Sequence, residues 1–292
     1  TFTSPFFGAE NARKGADQLG IKLVVLDITG PHLELVKKPP HGYGKQMNPC
    51  IDCHALMVKV AGELLEKEGY DLIATGEVLG ERPMSQNMQS LSTVAKDSGY
   101  ADFLLRPLSA KLLPPTRPER EGKVDRDRLF AIEGRSRKPQ IALAAKYGIK
   151  SYLQPAGGCL LTDPNFSARL RELLDKNPAA TEADVRLLRL GRHFRLPSGA
   201  KAIVGRDEKD NEKIERAAGE GDCLVLPTEA AGPTVLLAAP FCEEDVELAA
   251  KLCASFSDDV GGAIEIEIRH PAGNRRLQVA PGARAEFDGM RI

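Results

Sequence analysis

Two cysteines three residues apart carry the clearest chemical signal in the sequence. Cys50 and Cys53 lie in the segment N-P-C-I-D-C-H, residues 48–54, where a helical pattern begins. Free backbone N–H groups and the helix dipole at a helix start favour thiolates. Thiolates are both nucleophiles and metal ligands, so the segment predicts either sulfur chemistry or a metal site.

Four uses of the C-x-x-C-H motif compete. Haem attachment requires export, and the sequence shows no leader and no small helical pattern around the motif. A zinc site needs two more ligands, and the chain has no second C-x-x-C. A thioredoxin-like pair would follow the first strand of its βαβ unit, which fits poorly.

The fourth use involves a distant third thiol, Cys159, which follows two glycines in P-A-G-G-C, residues 155–159. Sequence alone does not show whether it meets Cys50 and Cys53. If it does, three thiolates could hold three irons of a [4Fe–4S] cluster and leave the fourth open for sulfide. Alternatively, one cysteine carries a persulfide and another resolves it.

The elements that would position these thiols have the pattern of an α/β fold. Short apolar runs at residues 21–28, 71–78 and 103–108 alternate with helical stretches, including 10–19, 54–69 and 85–97. This alternation predicts a doubly wound parallel sheet. After residue 187 short strands surround two acidic helices, so we divide the chain into an α/β domain, residues 1–186, and a smaller α+β domain, residues 187–292.

Composition and charge exclude several classes of protein. The 292 residues carry 40 Lys or Arg against 41 Asp or Glu, so no global charge indicates a nucleic acid partner. No apolar run approaches the roughly 18 residues of a membrane helix, which predicts no membrane association. The local balance differs: residues 106–138 hold ten basic against five acidic side chains, residues 166–206 nine against four, and residues 207–259 four against fourteen. Basic segments of this kind predict either solvated helix faces or a phosphate-binding surface.

Several motifs in one order give the chain a family resemblance. N-P-C-I-D-C-H-A-L-M (48–57), D-L-I-A-T-G-E-V-L-G-E-R-P-M-S-Q-N (71–87), L-L-R-P-L-S-A-K-L-L-P-P-T (104–116), G-R-S-R-K (134–138) and P-A-G-G-C-L-L-T-D-P (155–164) occur in this sequence. Together they resemble the 4-thiouridine or 2-thiouridine synthase-like tRNA thiouridylases of the PP-loop ATP pyrophosphatase superfamily. The C-terminal part, with G-R-H-F-R-L-P (191–197), resembles the small RNA-binding domain of the NFACT type.

The resemblance implies a tRNA sulfurtransferase. It would adenylate a uridine carbonyl, using ATP with Mg²⁺, and replace the oxygen with sulfur through Cys50, Cys53 and Cys159, which also form the expected metal-ligand set. The family's phosphate-binding loop, S-G-G-x-D-S, occurs nowhere in the 292 residues. By family order, this loop and the first strand would precede Thr1.

Nucleotide and RNA ligands have their own candidate residues. Strand ends of a doubly wound fold bind nucleotide, which selects Asp27, Thr75, Gly76 and Glu77. The candidates for phosphate or tRNA contacts are all basic: Arg106, Lys111, Arg135, Arg137, Lys138, Arg192, Arg195, Lys201 and Arg206.

The expected partners are tRNA and a sulfur donor, either sulfide or a persulfide-carrying protein. The expected location is the cytoplasm, and a homodimer is compatible with the sequence. The rival hypothesis is a non-catalytic RNA-binding protein whose cysteine cluster holds a structural metal.

Overall fold

A computed structural model describes residues 1–152, 158–258 and 261–292. Their contacts divide the chain into two compact units, Thr1–Asp163 and Pro164–Ile292. Among these residues, no helix is both long and apolar enough to cross a lipid bilayer.

The first unit contains short parallel strands. The described strands are β1 (Phe2–Thr3), β2 (Leu26–Asp27), β3 (Ile73–Ala74) and β4 (Leu104–Leu105). β1 pairs with β2, and β3 pairs with β4, both in parallel. The chain is therefore mixed α/β, but the described residues of this unit form two two-stranded sheets and do not show the predicted doubly wound sheet.

Helices make up most of the first unit. They are α1 (Glu10–Leu19), α2 (Thr29–Lys37), α3 (Cys50–Glu68), α4 (Met88–Ser98), α5 (Arg117–Arg120) and α6 (Lys138–Lys146). The pattern predicted α1 with these bounds, and Gly69 ends α3 in the left-handed conformation. It missed α2, because Pro31 lies in the first turn, where a helix tolerates proline. Between α5 and α6 the described residues also form a 3₁₀ turn, Arg126–Arg128.

A small apolar core fixes the start of α3. Val58 and Leu65 of α3 pack with Val94 of α4, together with Ile73 and Leu104 from β3 and β4. This packing holds α3 against both strands of one parallel pair. Cys50, the first residue of α3, therefore lies on a helix that is packed against the rest of the unit.

The second unit is built on one antiparallel sheet. Its helices are α7 (Pro164–Lys176), α8 (Glu182–Leu187), α9 (Glu208–Ala217) and α10 (Glu243–Phe256). Its strands are β5 (Arg192–Arg195), β6 (Lys201–Val204), β7 (Cys223–Pro227), β8 (Val235–Ala238), β9 (Ile264–Arg269) and β10 (Arg275–Val279). They lie in the order β10-β9-β7-β8-β6-β5. This sheet confirms the α+β character predicted for the C-terminal part.

Both faces of the central strands are covered. Ala202 and Val204 of β6 belong to a core cluster that includes residues of α10. Ile203, between them in sequence, joins Leu236 and Ile214 of α9 in a second cluster. Successive strand side chains point to opposite faces, so this alternation places α10 on one face and α9 on the other.

The second unit begins upstream of residue 187, the boundary predicted from the sequence. Arg195 Nε of β5 donates to Glu172 Oε1 of α7 at 2.7 Å, and Arg169 Nη1 donates to Leu188 O at 3.1 Å. Thr181 begins α8 with a reciprocal capping box to Asp184, as the sequence indicated. Side-chain hydrogen bonds thus attach α7 and α8 to the sheet, and the pattern of strands in the sequence does not predict them.

Gly191 permits the turn that leads into β5. Its φ is +60°, and a Cβ there would lie 2.5 Å from Val204 O. Gly199 has a φ of +96° but has no atom within 4 Å of an added Cβ. Both positions carry backbone strain for an L-residue, and only Gly191 adds a backbone collision.

We expect Gly191→Ala to destabilise the second unit by about 1 kcal/mol or more beyond Gly199→Ala, because only the first substitution forces two backbones apart. Urea unfolding followed by far-UV circular dichroism measures both variants. Equal losses of stability would contradict the close approach at Gly191.

Candidate functional site

The three candidate thiols of the first unit lie on two segments, the start of α3 and the segment that leads into the 3₁₀ turn Leu160–Thr162. Cys50 is the first residue of α3, and Cys53 follows one turn later on the same side of the helix. Cys159 precedes a 3₁₀ turn, Leu160–Thr162. Leu160 N donates to Phe6 O at 2.9 Å and Leu161 is fully buried, so this turn is anchored in the unit. Residues 155–157 of the P-A-G-G-C motif lie outside the described residues.

The three thiols of the first unit interact electrostatically. Burial raises the pKa of Cys53, and the charges of Cys159 and Cys50 raise it further. Burial also raises the pKa of Cys159, where Cys50 acts in the same direction. Cysteines 106 residues apart in sequence therefore share one electrostatic environment. The expectation of a thiolate at Cys53 is corrected: the helix start does not outweigh burial there, and Cys53 is a protonated thiol at neutral pH.

Two neighbours of these thiols were missed by sequence reasoning. His32 Nε2 of α2 lies 2.9 Å from Cys53 Sγ, and burial lowers the pKa of His32 to about 4. A neutral imidazole thus contacts the buried thiol. Asn48 Nδ2 donates to Cys50 Sγ at 3.2 Å. No motif indicates His32, because its pairing with Cys53 depends on the packing of α2, which the pattern did not predict.

The side-chain arrangement does not fit a metal ion. In the described ranges, no group of three or more His, Cys, Asp or Glu side chains is placed to hold one. The thiols share an environment but do not form a ligand set as they stand. The [4Fe–4S] cluster at Cys50, Cys53 and Cys159 stays a prediction, and no reaction step is derived through it.

A buried carboxylate organises the neighbouring part of the first unit. Glu77 Oε2 accepts from Arg106 Nε at 2.8 Å, and Glu77 Oε1 accepts from His54 Nδ1 at 2.8 Å. Arg106 Nη2 also donates to Leu91 O at 3.0 Å. Burial alone would raise the pKa of Glu77, but His54 and Arg106 outweigh it and lower the pKa to about 2. Glu77 is therefore ionised and engaged inside the protein.

This network corrects one predicted RNA contact and changes the role of one predicted nucleotide residue. Arg106 is 6% exposed, so its guanidinium faces Glu77 and not solvent. Thr75 Oγ1 donates to Glu77 Oε2 at 3.1 Å. Gly76 has open space where a Cβ would lie, and Asp27 Oδ1 accepts from Thr29 N at 2.8 Å. Of the four predicted nucleotide residues, Thr75 and Glu77 bind each other, and none forms a phosphate cradle.

An exposed basic surface remains on the first unit. Lys111, Arg135 and Lys138 are exposed and Arg137 is half-buried, with its guanidinium 6.0 Å from the centroid of the Tyr152 ring. Lys111 Nζ donates to Asp127 O at 2.8 Å. We call Arg135, Arg137 and Lys138 the basic triplet. These side chains are placed where a phosphate could reach them.

The predicted RNA contacts of the second unit separate into two groups. Arg195 and Lys201 both face Glu172, and Lys201 Nζ lies 3.9 Å from Glu172 Oε2. Burial lowers the pKa of Lys201 to about 8, and the side chain is only 12% exposed. Both cations are therefore partly neutralised within the protein, which corrects their assignment to an RNA surface.

Arg192 and Arg206 instead line a groove of about 740 Å³. The groove also contains Phe256 at the end of α10 and Arg284, neither of which the sequence analysis selected. The Phe256 ring centroid lies 5.3 Å from the guanidinium carbon of Arg192 and 5.2 Å from that of Arg284. We call this the arginine groove. Only the fold brings Arg284 beside Arg192, so no local signal could have identified the pair.

Comparison with known proteins identifies the second unit and leaves the first unassigned. Residues 191–289 match the family model described as NFACT protein RNA binding domain, so the C-terminal part carries an RNA-binding domain of this type. No curated protein matches the chain. Among solved structures, the chain is similar to the C-terminal part of the fibronectin/fibrinogen-binding protein from Streptococcus suis, with 14% identity and a TM-score of 0.31, over 90% of this chain and 98% of that chain.

We expect Glu77→Gln to destabilise the first unit at neutral pH by about 3–5 kcal/mol, because Arg106 would be left buried without its counter-charge. The depressed pKa of Glu77 adds a pH dependence: its contribution is complete above the ordinary pKa of 4.5 and is lost as pH falls towards about 2. The variant should lack this acid-induced loss. Hydrogen exchange of peptides from α3 and α4 measures both effects.

The matched control is Glu121→Gln, which removes the carboxylate that pairs with exposed Arg117. We expect little loss of stability, because solvent screens this exposed pair. Similar losses of stability in the two variants would contradict a larger stabilising role for the buried Glu77–Arg106 pair.

Proposed function

We propose that this protein is a cytoplasmic tRNA sulfurtransferase that replaces a uridine carbonyl oxygen with sulfur. The observation that supports it best is the electrostatic interaction of Cys159 with Cys50 and Cys53. The RNA-binding domain at residues 191–289 is consistent with an RNA substrate. The proposal that the substrate is a uridine of tRNA rests on the motif resemblance.

The proposed chemistry uses a persulfide. Cys50 is more accessible to solvent than Cys53, and it is the first residue of α3. Its thiol also accepts a hydrogen bond from Asn48. We therefore propose that Cys50 carries the transferable sulfur. The terminal sulfur of Cys50 attacks the activated uridine carbon, and the activated oxygen leaves. Cys53 or Cys159 then attacks Cys50 Sγ, which forms a protein disulfide and releases thiouridine. A dithiol reductant restores the two thiols.

ATP with Mg²⁺ would supply the activation by converting the carbonyl oxygen into a leaving group. An apolar cavity of about 250 Å³ in the first unit is lined by Phe2, His54 and Ile73, next to the ends of β1 and β3.

Persulfide loading provides the test of the thiol assignment. We expect a persulfide donor, followed by alkylation and mass spectrometry, to label Cys50, and to yield a disulfide from Cys50 to Cys53 or Cys159. Replacing the resolving cysteine by Ser should trap the persulfide, because the attacking sulfur is gone. tRNA thiolation, where measurable, should fall by on the order of 10²-fold or more in Cys50→Ser.

Cys242→Ser is the control, because Cys242 is exposed in the second unit and has no assigned role. Equal labelling of Cys50 and Cys242, or no disulfide among the three site cysteines, would refute the assignment. Anaerobic reconstitution with iron and sulfide examines the cluster version: iron absorbance that Cys159→Ala abolishes would favour it over the persulfide.

The basic triplet is proposed to contact tRNA phosphates. We expect the Ala variant of Arg135, Arg137 and Lys138 to bind tRNA more weakly and to lower the slope of log affinity against log salt by about 2–3, since each phosphate contact releases counterions. Filter binding between 50 and 200 mM salt, about the range where such contacts weaken strongly, measures this slope. The control replaces exposed Lys14, Lys22 and Lys67 of the same unit. Equal slopes in the two triple variants would exclude a tRNA contact at the triplet.

The second candidate is an RNA-binding protein without catalysis. The RNA-binding domain match favours it on its own, since that match requires no thiol chemistry. RNA binding by a protein whose three site cysteines exchange no sulfur would support this candidate. The sulfur donor and a homodimer remain proposals, to be examined by pull-down with a persulfide carrier and by sedimentation.

A further inference from the structure

Two arginines of the arginine groove, Arg192 and Arg284, have no ion pair among the described residues, whereas Arg206 pairs with Asp210. Burial lowers the pKa of Arg192, and the charges of Arg291, Arg284 and Arg206 lower it further. Arg291 reaches this region because its backbone pairs with Phe194 of β5. Like charges held together by a fold favour binding of an anion.

The two guanidiniums beside Phe256 are pre-positioned. Arg192 Nη1 donates to Gly205 O at 3.0 Å, and Arg284 Nε donates to Ser255 O at 3.0 Å. A guanidinium has five N–H donors, and one from each is used in these bonds, so donors remain for a phosphate. The planar groups can also stack with a nucleobase.

Asn211 holds the floor of the groove. Its Nδ2 donates to Gly232 O at 3.1 Å, and its Oδ1 accepts from Thr234 N at 2.9 Å. The side chain of one helix thus fixes the loop before β8. A floor held by hydrogen bonds needs little reordering when a ligand binds.

Carboxylates also line the groove: Asp207, Glu208, Glu212, Glu215 and Asp258. On α9, Glu212 accepts from Arg216 Nη2 and Glu215 accepts from Thr234 Oγ1, each at 3.0 Å, so Glu208 is the most available of the three α9 carboxylates in the groove among the described residues. Carboxylates repel phosphate but accept hydrogen bonds from amino and imino groups of bases. The arginines and Glu208 therefore suit the two ends of one nucleotide.

We propose that the arginine groove binds one nucleotide of a single-stranded RNA, with its phosphate at Arg192 and Arg284 and its base facing Glu208. Guanine presents adjacent N–H donors that a carboxylate can accept, whereas uracil presents mainly carbonyl oxygens on the same edge. The groove should therefore prefer guanosine to uridine. Its volume, about 740 Å³, lies in the range of small-molecule sites.

This inference deepens the RNA-binding part of the proposed function and does not depend on sulfur transfer. If groove variants lose RNA binding but still load a persulfide, the proposal for the thiol site is unaffected. If persulfide loading fails but the protein still discriminates between RNAs, the proposal for the groove is unaffected.

The test is fluorescence anisotropy of labelled ten-nucleotide RNAs with the full chain. We expect alternating guanosine and adenosine RNA to bind about tenfold more tightly than uridine-only RNA. Arg192→Ala and Arg284→Ala should each weaken both RNAs by about tenfold, since phosphate contacts are shared by all sequences. Glu208→Gln should reduce the ratio of the two affinities.

Arg195→Ala is the matched control, because Arg195 lies on the same strand as Arg192 but is paired with Glu172. It should change affinity by less than about twofold, because the charge of Arg195 is already paired with Glu172. Far-UV circular dichroism identifies any variant that fails to fold, and Arg284→Lys then replaces it, with charge kept and the planar fork removed. Equal affinity for the two RNAs, or equal losses at Arg192 and Arg195, would overturn the proposal.

Discussion

The buried ion pair between Glu77 and Arg106 connects four elements of the first unit. Glu77 follows β3, Arg106 follows β4, His54 belongs to α3, and Leu91 O of α4 accepts from Arg106. With strands only two residues long, backbone pairing alone does little to align these elements. A charge removed from water must keep its partner, so the pair fixes where each of the four elements can lie. The start of α3, and with it Cys50 and Cys53, takes its position from that constraint.

Burial raises the pKa of a cysteine, whereas a position at the start of a helix lowers it. Cys53 lies deep enough for desolvation to raise its pKa, while Cys50 lies at the end of the same helix and is less enclosed. One helix thus presents two thiols in different surroundings. Resolution also requires attack by a thiolate, so burial makes Cys53 a slow resolving nucleophile.

Sequence pattern predicted much of the second unit and less of the first. The alternation along Lys201–Val204 and the acidic helix starts at Glu208 and Glu243 come from local periodicity and capping, which the structure preserves. The run at residues 21–28 was apolar enough for a strand, yet only Leu26–Asp27 pairs with a neighbour. Pairing depends on partners that periodicity does not contain. The same limit applies to His32, Arg106 and Arg284, whose roles come from contacts distant in sequence.

The covered faces of the central strands determine how an RNA can be recognised by the second unit. Open sheets that bind RNA stack several bases in a row on exposed aromatic side chains. Here α9 and α10 occupy both faces of β6 and β8, so no such platform exists on these strands. The arginine groove lies instead at the edge strand β5 and the end of α10, and it offers space for about one nucleotide. A site of that size reads at most one base, so it distinguishes RNAs far less than a row of stacked bases would.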